Sequence, residues 1–142
     1  MKKSILLLAL SFTVGASFAQ KKMTTTSASI NFDATTSKDA LPKADNKTVV
    51  ASLDAKTGAV AFEAAVKSFT FSNPKIQEHF NSAGWMDSEK FPTATFKGTI
   101  TNVADVNFKK DGTYNAKVEG QLTMHGETKP VTTTAKIVVA GS

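Results

Sequence analysis

The chain has 142 residues, a formal net charge of +5 and no cysteine, so no disulfide can stabilise its fold. Every positive residue is a lysine, and beyond Lys2 and Lys3 these lysines are scattered apart from the pairs Lys21-Lys22 and Lys109-Lys110. This disfavours nucleic-acid binding, because nucleic-acid binders more often cluster their charge and use arginine forks.

The N-terminus has the pattern of a secretory signal peptide. Lys2 and Lys3 precede an apolar stretch over residues 5–14, and Ser17 and Ala19 are small residues suited to the −3 and −1 positions. We expect cleavage after Ala19, which makes residues 1–19 the signal peptide and 20–142 one domain. The apolar stretch is too short for a spanning helix; a retained anchor is the alternative. The expected location is periplasmic or secreted.

The early part of the domain alternates as β-strands do. Ala28, Ile30, Phe32 and Ala34 alternate with polar residues in a first strand. A polar loop is predicted through Pro42 to about residue 46, and a short second strand over residues 49–53.

A turn over residues 54–58 leads into the third strand, because Gly58 is available for positive φ. Val60, Phe62, Ala64 and Val66 share one face of that strand, which continues towards Phe71.

One short helix interrupts the strands. Asn73 can cap it, Pro74 suits its first position, and it is predicted to end near residues 81–82. Ile76, His79 and Phe80 fall on its apolar side.

Strands resume after Pro92. Residues 94–100 predict one strand, and Val103 and Val106 continue it with less regular spacing. Asp111-Gly112 predicts a hairpin that links a strand near Phe108 to residues 114–124. A second tight turn at residues 125–126 leads to a final strand with alternating apolar residues over 131–139.

These elements predict an all-β fold, an antiparallel barrel with one short helix; a sandwich is the alternative. Its inward positions mix bulky residues with alanine and glycine. A barrel of this size is either filled by side chains or holds one small ligand, and the pattern leaves both open. The candidate lumen residues are Ile30, Phe32, Phe62, Phe96, Leu122 and Met124.

Two ordered segments carry a family resemblance. The first contains Glu78-His79-Phe80, Trp85-Met86-Asp87, Lys90-Phe91-Pro92 and Thr95-Phe96, and the second runs from Gly120 to Val131. Together they resemble the signature of the YceI-like, lipocalin-type isoprenoid-binding proteins. Residues 23–53 match only loosely.

The resemblance implies an exported lipocalin-like barrel that holds a polyisoprenoid or quinone-like lipid in its lumen. In that family further strands follow the segment that ends near Val139, so we expect the closing strands to be missing here. Strand exchange in a homodimer is the alternative. The loop after the helix supplies barrel-mouth candidates, Phe80, Trp85 and Met86, which either contact ligand or plug one end.

Catalytic and metal chemistry are poorly supported. His79 and His125 are the only histidines, and no cluster of ligating residues accompanies them. We expect His125 to hydrogen-bond backbone near its turn and His79 to pack. No nucleophile elbow or phosphate loop occurs. The preferred interpretation is a non-catalytic binding protein without cofactor or metal. The alternatives are an adhesion module with a filled barrel, and a small hydrolase or isomerase that uses the pocket.

Overall fold

A computed structural model describes residues 22–34, 37 and 43–141. The predicted signal peptide and most of the loop before residue 43 lie outside the described residues. The elements are β1 (Lys22–Asp33), β2 (Lys43–Asp54), β3 (Ala59–Ala65), β4 (Thr70–Phe71), α1 (Pro74–Asn81), β5 (Thr93–Ile100), β6 (Gly112–Met124) and β7 (Glu127–Val139).

The strands form one curled antiparallel sheet, a half-barrel. Six strands follow the order β1-β2-β3-β5-β6-β7, and β4 pairs with β2. Every pairing is antiparallel. The all-β antiparallel prediction with one short helix is therefore confirmed. Within the described residues, β1 and β7 are the two edges of this sheet, and no pairing joins them.

The two tightest turns are where the sequence places them. Gly58 has φ of 77° in the turn between β2 and β3. His125 and Gly126 have φ of 51° and 74°, which matches the left-handed backbone of a two-residue hairpin between β6 and β7. A Cβ on Gly126 would lie 2.7 Å from Cε1 of Phe91, so glycine is required there for space as well as for conformation.

The hairpin predicted at Asp111-Gly112 is wrong. β5 ends at Ile100, and residues 101–111 form a loop containing a 3-10 turn over Val103–Asp105. The three-residue spacing of Val103 and Val106 fits that turn, with the Val106 N–H donating to the Val103 carbonyl at 3.1 Å. Gly112 instead begins β6, opposite Val139.

The loop before β2 is shorter than predicted, because β2 begins at Lys43 and includes Asn46. Asn46 is fully buried. Its Nδ2 donates to the Ala65 carbonyl at 3.0 Å, and its Oδ1 accepts from the backbone N–H and hydroxyl of Thr48. The strand can bury this polar residue because its amide forms hydrogen bonds with Ala65 and Thr48.

The helix follows its predicted limits. Oδ1 of Asn73 accepts from the Lys75 N–H at 2.9 Å, and Pro74 occupies the first turn. Within α1 only Phe80 is buried, whereas His79 is exposed, so the predicted packing role of His79 is wrong. Within the described residues, no helix has the length and apolar character needed to cross a membrane.

Two apolar clusters divide the concave face. One surrounds Phe80 and contains residues of β2, β3, β4 and the loop after α1; we call this the helix end. The other contains Ile100, Ala116 and Val118, nearer the turn at residues 54–58 and the loop at residues 101–111; we call this the loop end.

Candidate functional site

An open apolar cavity of about 590 Å³ occupies the concave face beside the loop-end cluster. All six strands of the main sheet contribute to its wall. Its apolar lining residues are Met23, Ala51, Leu53, Val60, Phe62, Phe96, Ile100, Val118, Val131, Ala135 and Ile137.

Strand register explains why these residues meet. Leu53 lies opposite Val60, which lies opposite Gly98 on β5. The same row continues through Gly120 to Val131 on β7. Because side chains alternate between faces, one aligned row places all of its side chains on one side of the sheet.

A second row carries the two large rings of the wall. Ala51 lies opposite Phe62, and Phe62 lies opposite Phe96, with ring centroids 6.1 Å apart. The adjoining row contributes Gly98 and Gly120 where it crosses β5 and β6, and the Phe96 ring lies against both glycines. These small inward residues therefore make room for one ring of the cavity wall.

The predicted lumen residues separate into three groups. Phe62 and Phe96 line the cavity. Ile30 and Phe32 pack against the helix-end cluster, and the Phe32 ring lies 6.2 Å from that of Phe80. Leu122 and Met124 share the inward face of β6 and lie closer to the β6–β7 turn; Leu122 is paired with Phe96, but neither residue is among those that line the cavity. Whether these residues contact ligand stays a prediction.

The predicted barrel-mouth residues lie together at the helix end. Phe80 and Met86 are buried there. The Phe80 ring lies 4.9 Å from Phe71 and 5.7 Å from Trp85, whose side chain is 42% exposed. None of the three predicted mouth residues is among those that line the cavity.

The sequence prediction does not include Met23 among the inward residues, because the predicted first strand begins at Ala28. The structure extends β1 back to Lys22, and irregular register between Thr25 and Ile30 shifts the inward positions from odd to even numbers. Alternation over Met23 and Thr25 was the available signal. A bulge between the two halves of the strand conceals it.

The cavity offers burial rather than acid–base chemistry. Among the described residues, Lys136 is the only ionisable one in its wall, and the polar lining residues are otherwise Thr24, Thr25, Ser52 and Thr133. Lys136 lies opposite Asn115, between the inward residues Ala135 and Ile137, so alternation directs its side chain to the outer face.

His125 lies at the other end of the sheet. Its ring packs on Phe91 with centroids 5.0 Å apart, and Nζ of Lys90 lies 5.2 Å from the centre of the same Phe91 ring. Nδ1 of His125 is buried and has no hydrogen-bond partner within the described part of the chain, so the backbone hydrogen bond predicted for His125 is not made at that atom. This packing joins the two segments that carry the family resemblance.

Comparison with known proteins assigns the chain to a family. The model of the YceI-like domain matches residues 9–142. A UPF0312 protein of Vibrio cholerae is 36% identical over 75 residues, covering 53% of this chain and 36% of the relative. Protein YceI of Escherichia coli O157:H7 is 39% identical over 64 residues, covering 45% of this chain and 29% of the relative. The matched segments thus span about a third of these relatives.

One solved structure has a similar fold. It is a polyisoprenoid binding domain from Saccharophagus degradans, with a TM-score of 0.70 and 12% sequence identity. The match covers 87% of this chain and 70% of the other. At this identity the likeness concerns the fold.

Proposed function

This chain belongs to the YceI-like domain family, and we propose that it binds an elongated apolar molecule, a polyisoprenoid or a quinone-like lipid, in the loop-end cavity. The observation that carries the proposal is the cavity itself. Its volume of about 590 Å³ lies within the range of about 300–1,000 Å³ common for small-molecule sites.

Burial of an apolar chain supplies the affinity. Each Å² of apolar surface removed from water contributes about 25 cal/mol, less the cost of ordering the ligand. A wall of aliphatic side chains and the rings of Phe62 and Phe96 suits a chain of repeated branched units, which needs no directional polar contact along its length. The domain from Saccharophagus degradans with the similar fold is described as polyisoprenoid binding, which supports this choice of ligand.

The proposed role is non-catalytic and needs no cofactor. In the described part of the chain, no histidine or carboxylate lines the cavity, so a bound molecule meets no general acid or base there. An unfilled cavity also argues against the adhesion module, which requires a filled barrel. The signal-peptide pattern at residues 1–19 supports export to the periplasm or beyond.

The test is extraction of ligand from purified protein, followed by mass spectrometry. We expect an isoprenoid or related lipid near one per chain. Ala51 lines the cavity, so Ala51→Phe should fill it and reduce the co-purifying lipid. Val50 is the adjacent outward residue, 48% exposed, and Val50→Phe is the matched control that should retain lipid.

Two results would overturn the proposal. One is wild-type protein that carries no lipid and binds none when isoprenoid is added. The other is equal lipid content in the Ala51→Phe and Val50→Phe proteins, because ligand would then lie outside this cavity.

A further inference from the structure

We propose that the loop end docks onto an anionic lipid surface through Lys22, Lys56, Lys109 and Lys110. This inference rests on the proposed function, since it concerns where an apolar ligand enters the cavity. Docking by the loop end brings the cavity to the bilayer, whose interior dissolves apolar ligands.

Hydrogen bonds and register assemble this rim from separate parts of the chain. Lys22 begins β1 opposite Asp54, and Lys56 lies in the turn that follows Asp54. The Ile100 N–H donates to the Gly58 carbonyl at 2.8 Å, which joins that turn to the end of β5.

The remaining two lysines are held by the loop between β5 and β6. The Tyr114 hydroxyl donates to the Lys110 carbonyl at 3.0 Å, and the Lys109 N–H donates to Oδ1 of Asn107 at 3.0 Å. The Gly141 N–H donates to Oδ2 of Asp111 at 3.3 Å, which brings the end of β7 to the same loop.

Ion pairing differs between the two ends. The ion pairs between described residues join Lys43 to Asp33, Lys67 to Glu89 and Lys129 to Glu127, and all three lie towards the helix end. The four rim lysines are exposed and form no ion pair with another described residue.

Two carboxylates at the loop end accept hydrogen bonds from residues two or three positions away in the chain. Asp54 accepts the Lys56 and Thr57 N–H groups at 2.8 and 3.1 Å. Asp105 accepts from Nδ2 of Asn102 at 3.2 Å. These short side chains are held against the fold, whereas the lysine ammonium groups extend from it on long stems and reach an approaching surface first.

The cavity reaches the same end of the sheet as this rim. Met23 follows Lys22, lines the cavity and is 43% exposed. Val103 of the loop packs against the loop-end cluster, which contains Ile100. A cationic rim around an apolar opening complements an anionic bilayer, whose surface attracts nearby lysines and whose interior holds apolar chains.

The experiment measures how much purified protein floats with two kinds of vesicle. One kind contains phosphatidylcholine alone, and the other also contains the anionic lipid phosphatidylglycerol. We expect binding only to the anionic vesicles, weakened by added salt. Lys109→Glu with Lys110→Glu should reduce partitioning about tenfold or more. Lys75→Glu with Lys97→Glu changes charge equally at two lysines outside the rim, one on α1 and one on β5, and should retain most of the binding.

Binding of retinol, a fluorescent isoprenoid added without vesicles, separates this proposal from the proposed function. Retained retinol binding with lost vesicle binding in the Lys109/Lys110 variant supports docking by the loop end. Docking by the loop end is overturned if wild-type protein does not bind anionic vesicles, or if both double variants lose vesicle binding equally. It is also overturned if only Trp85→Ala loses vesicle binding, because the exposed Trp85 at the helix end would then be the contact. Loss of retinol binding in wild-type protein would overturn the proposed function instead.

Discussion

The ring of Phe96 lies over the backbone of Gly120, in the strand next to its own. A Cβ on Gly120 would come within 2.6 Å of Cζ of Phe96 and 2.5 Å of the Lys97 carbonyl oxygen. Gly98 is paired with Gly120, and a Cβ on Gly98 would lie 2.8 Å from the same Phe96 atom. The glycine pair thus supports an aromatic side chain that forms part of the cavity wall.

Gly120→Ala is expected to destabilise the protein by about 1–3 kcal/mol, because the added methyl group must displace both a ring and a backbone carbonyl. Denaturant unfolding measures this change. The control is Gly84→Ala, where a Cβ would meet only Oγ of Ser82 at 3.9 Å. Equal stability of the two variants would show that the sheet accommodates the methyl group without moving Phe96.

The local signals predicted the sheet well. Alternation defined the strands, and residues suited to positive φ placed the turns at Gly58 and at residues 125–126. The signal failed after Ile100, where a 3-10 turn spaces valines three residues apart and Asp111-Gly112 resembles a hairpin turn. A dipeptide with turn character does not determine which strands it joins, because that depends on long-range pairing.

The candidate site was harder to predict than the fold. Alternation identified inward faces, and so included both Phe62 and Phe32. Which of the two lies at the cavity depends on position along the barrel axis. α1 packs against the Phe32 end of the sheet, and β4 pairs beside it. Local signals predict the helix itself, but not where it packs or which strand β4 joins. The irregular register of β1 likewise separates Met23 from the alternation that begins at Ala28.

Phe80 is expected to be the main stabilising residue of the helix end. Its ring contacts those of Phe32, Phe69, Phe71 and Trp85. Phe80→Ala should cost about 3–5 kcal/mol in the free energy of unfolding, as for other buried aromatic residues. Trp85→Ala, at a side chain 42% exposed, should cost clearly less. Thermal or denaturant unfolding ranks the two, and a larger loss at Trp85 would contradict this assignment.

Asn46 is expected to tolerate substitution poorly despite being polar. Asn46→Ala removes the donor to the Ala65 carbonyl and the acceptor for the Thr48 N–H, and leaves both groups without these partners in a buried site. The expected loss is about 1–3 kcal/mol in unfolding free energy. Asn31→Ala, at an exposed position on the adjacent strand, is the control and should change stability by about 0.5 kcal/mol or less. Similar losses of unfolding free energy in the two variants would mean that water replaces the hydrogen bonds of the Asn46 amide.

Asp54 is expected to give the protein a specific acid sensitivity. Hydrogen bonds from the backbone N–H groups of Lys56 and Thr57 hold the pKa of its carboxyl below the ordinary value of 3.8. The folded state therefore favours the charged form. Its contribution to stability is fully present above the unfolded pKa and is lost as the pH falls through the lower, folded pKa.

Asp54→Asn isolates this charge, because the amide oxygen can still accept the hydrogen bonds of the turn. The wild-type protein should be more stable than the variant at neutral pH, and the difference should shrink as the pH falls below 3.8. Urea unfolding of both proteins from about pH 6 to about pH 2 measures the difference, and subtraction removes the groups that they share. A difference that stays constant across this range would show that the Asp54 charge makes no pH-dependent contribution to folding.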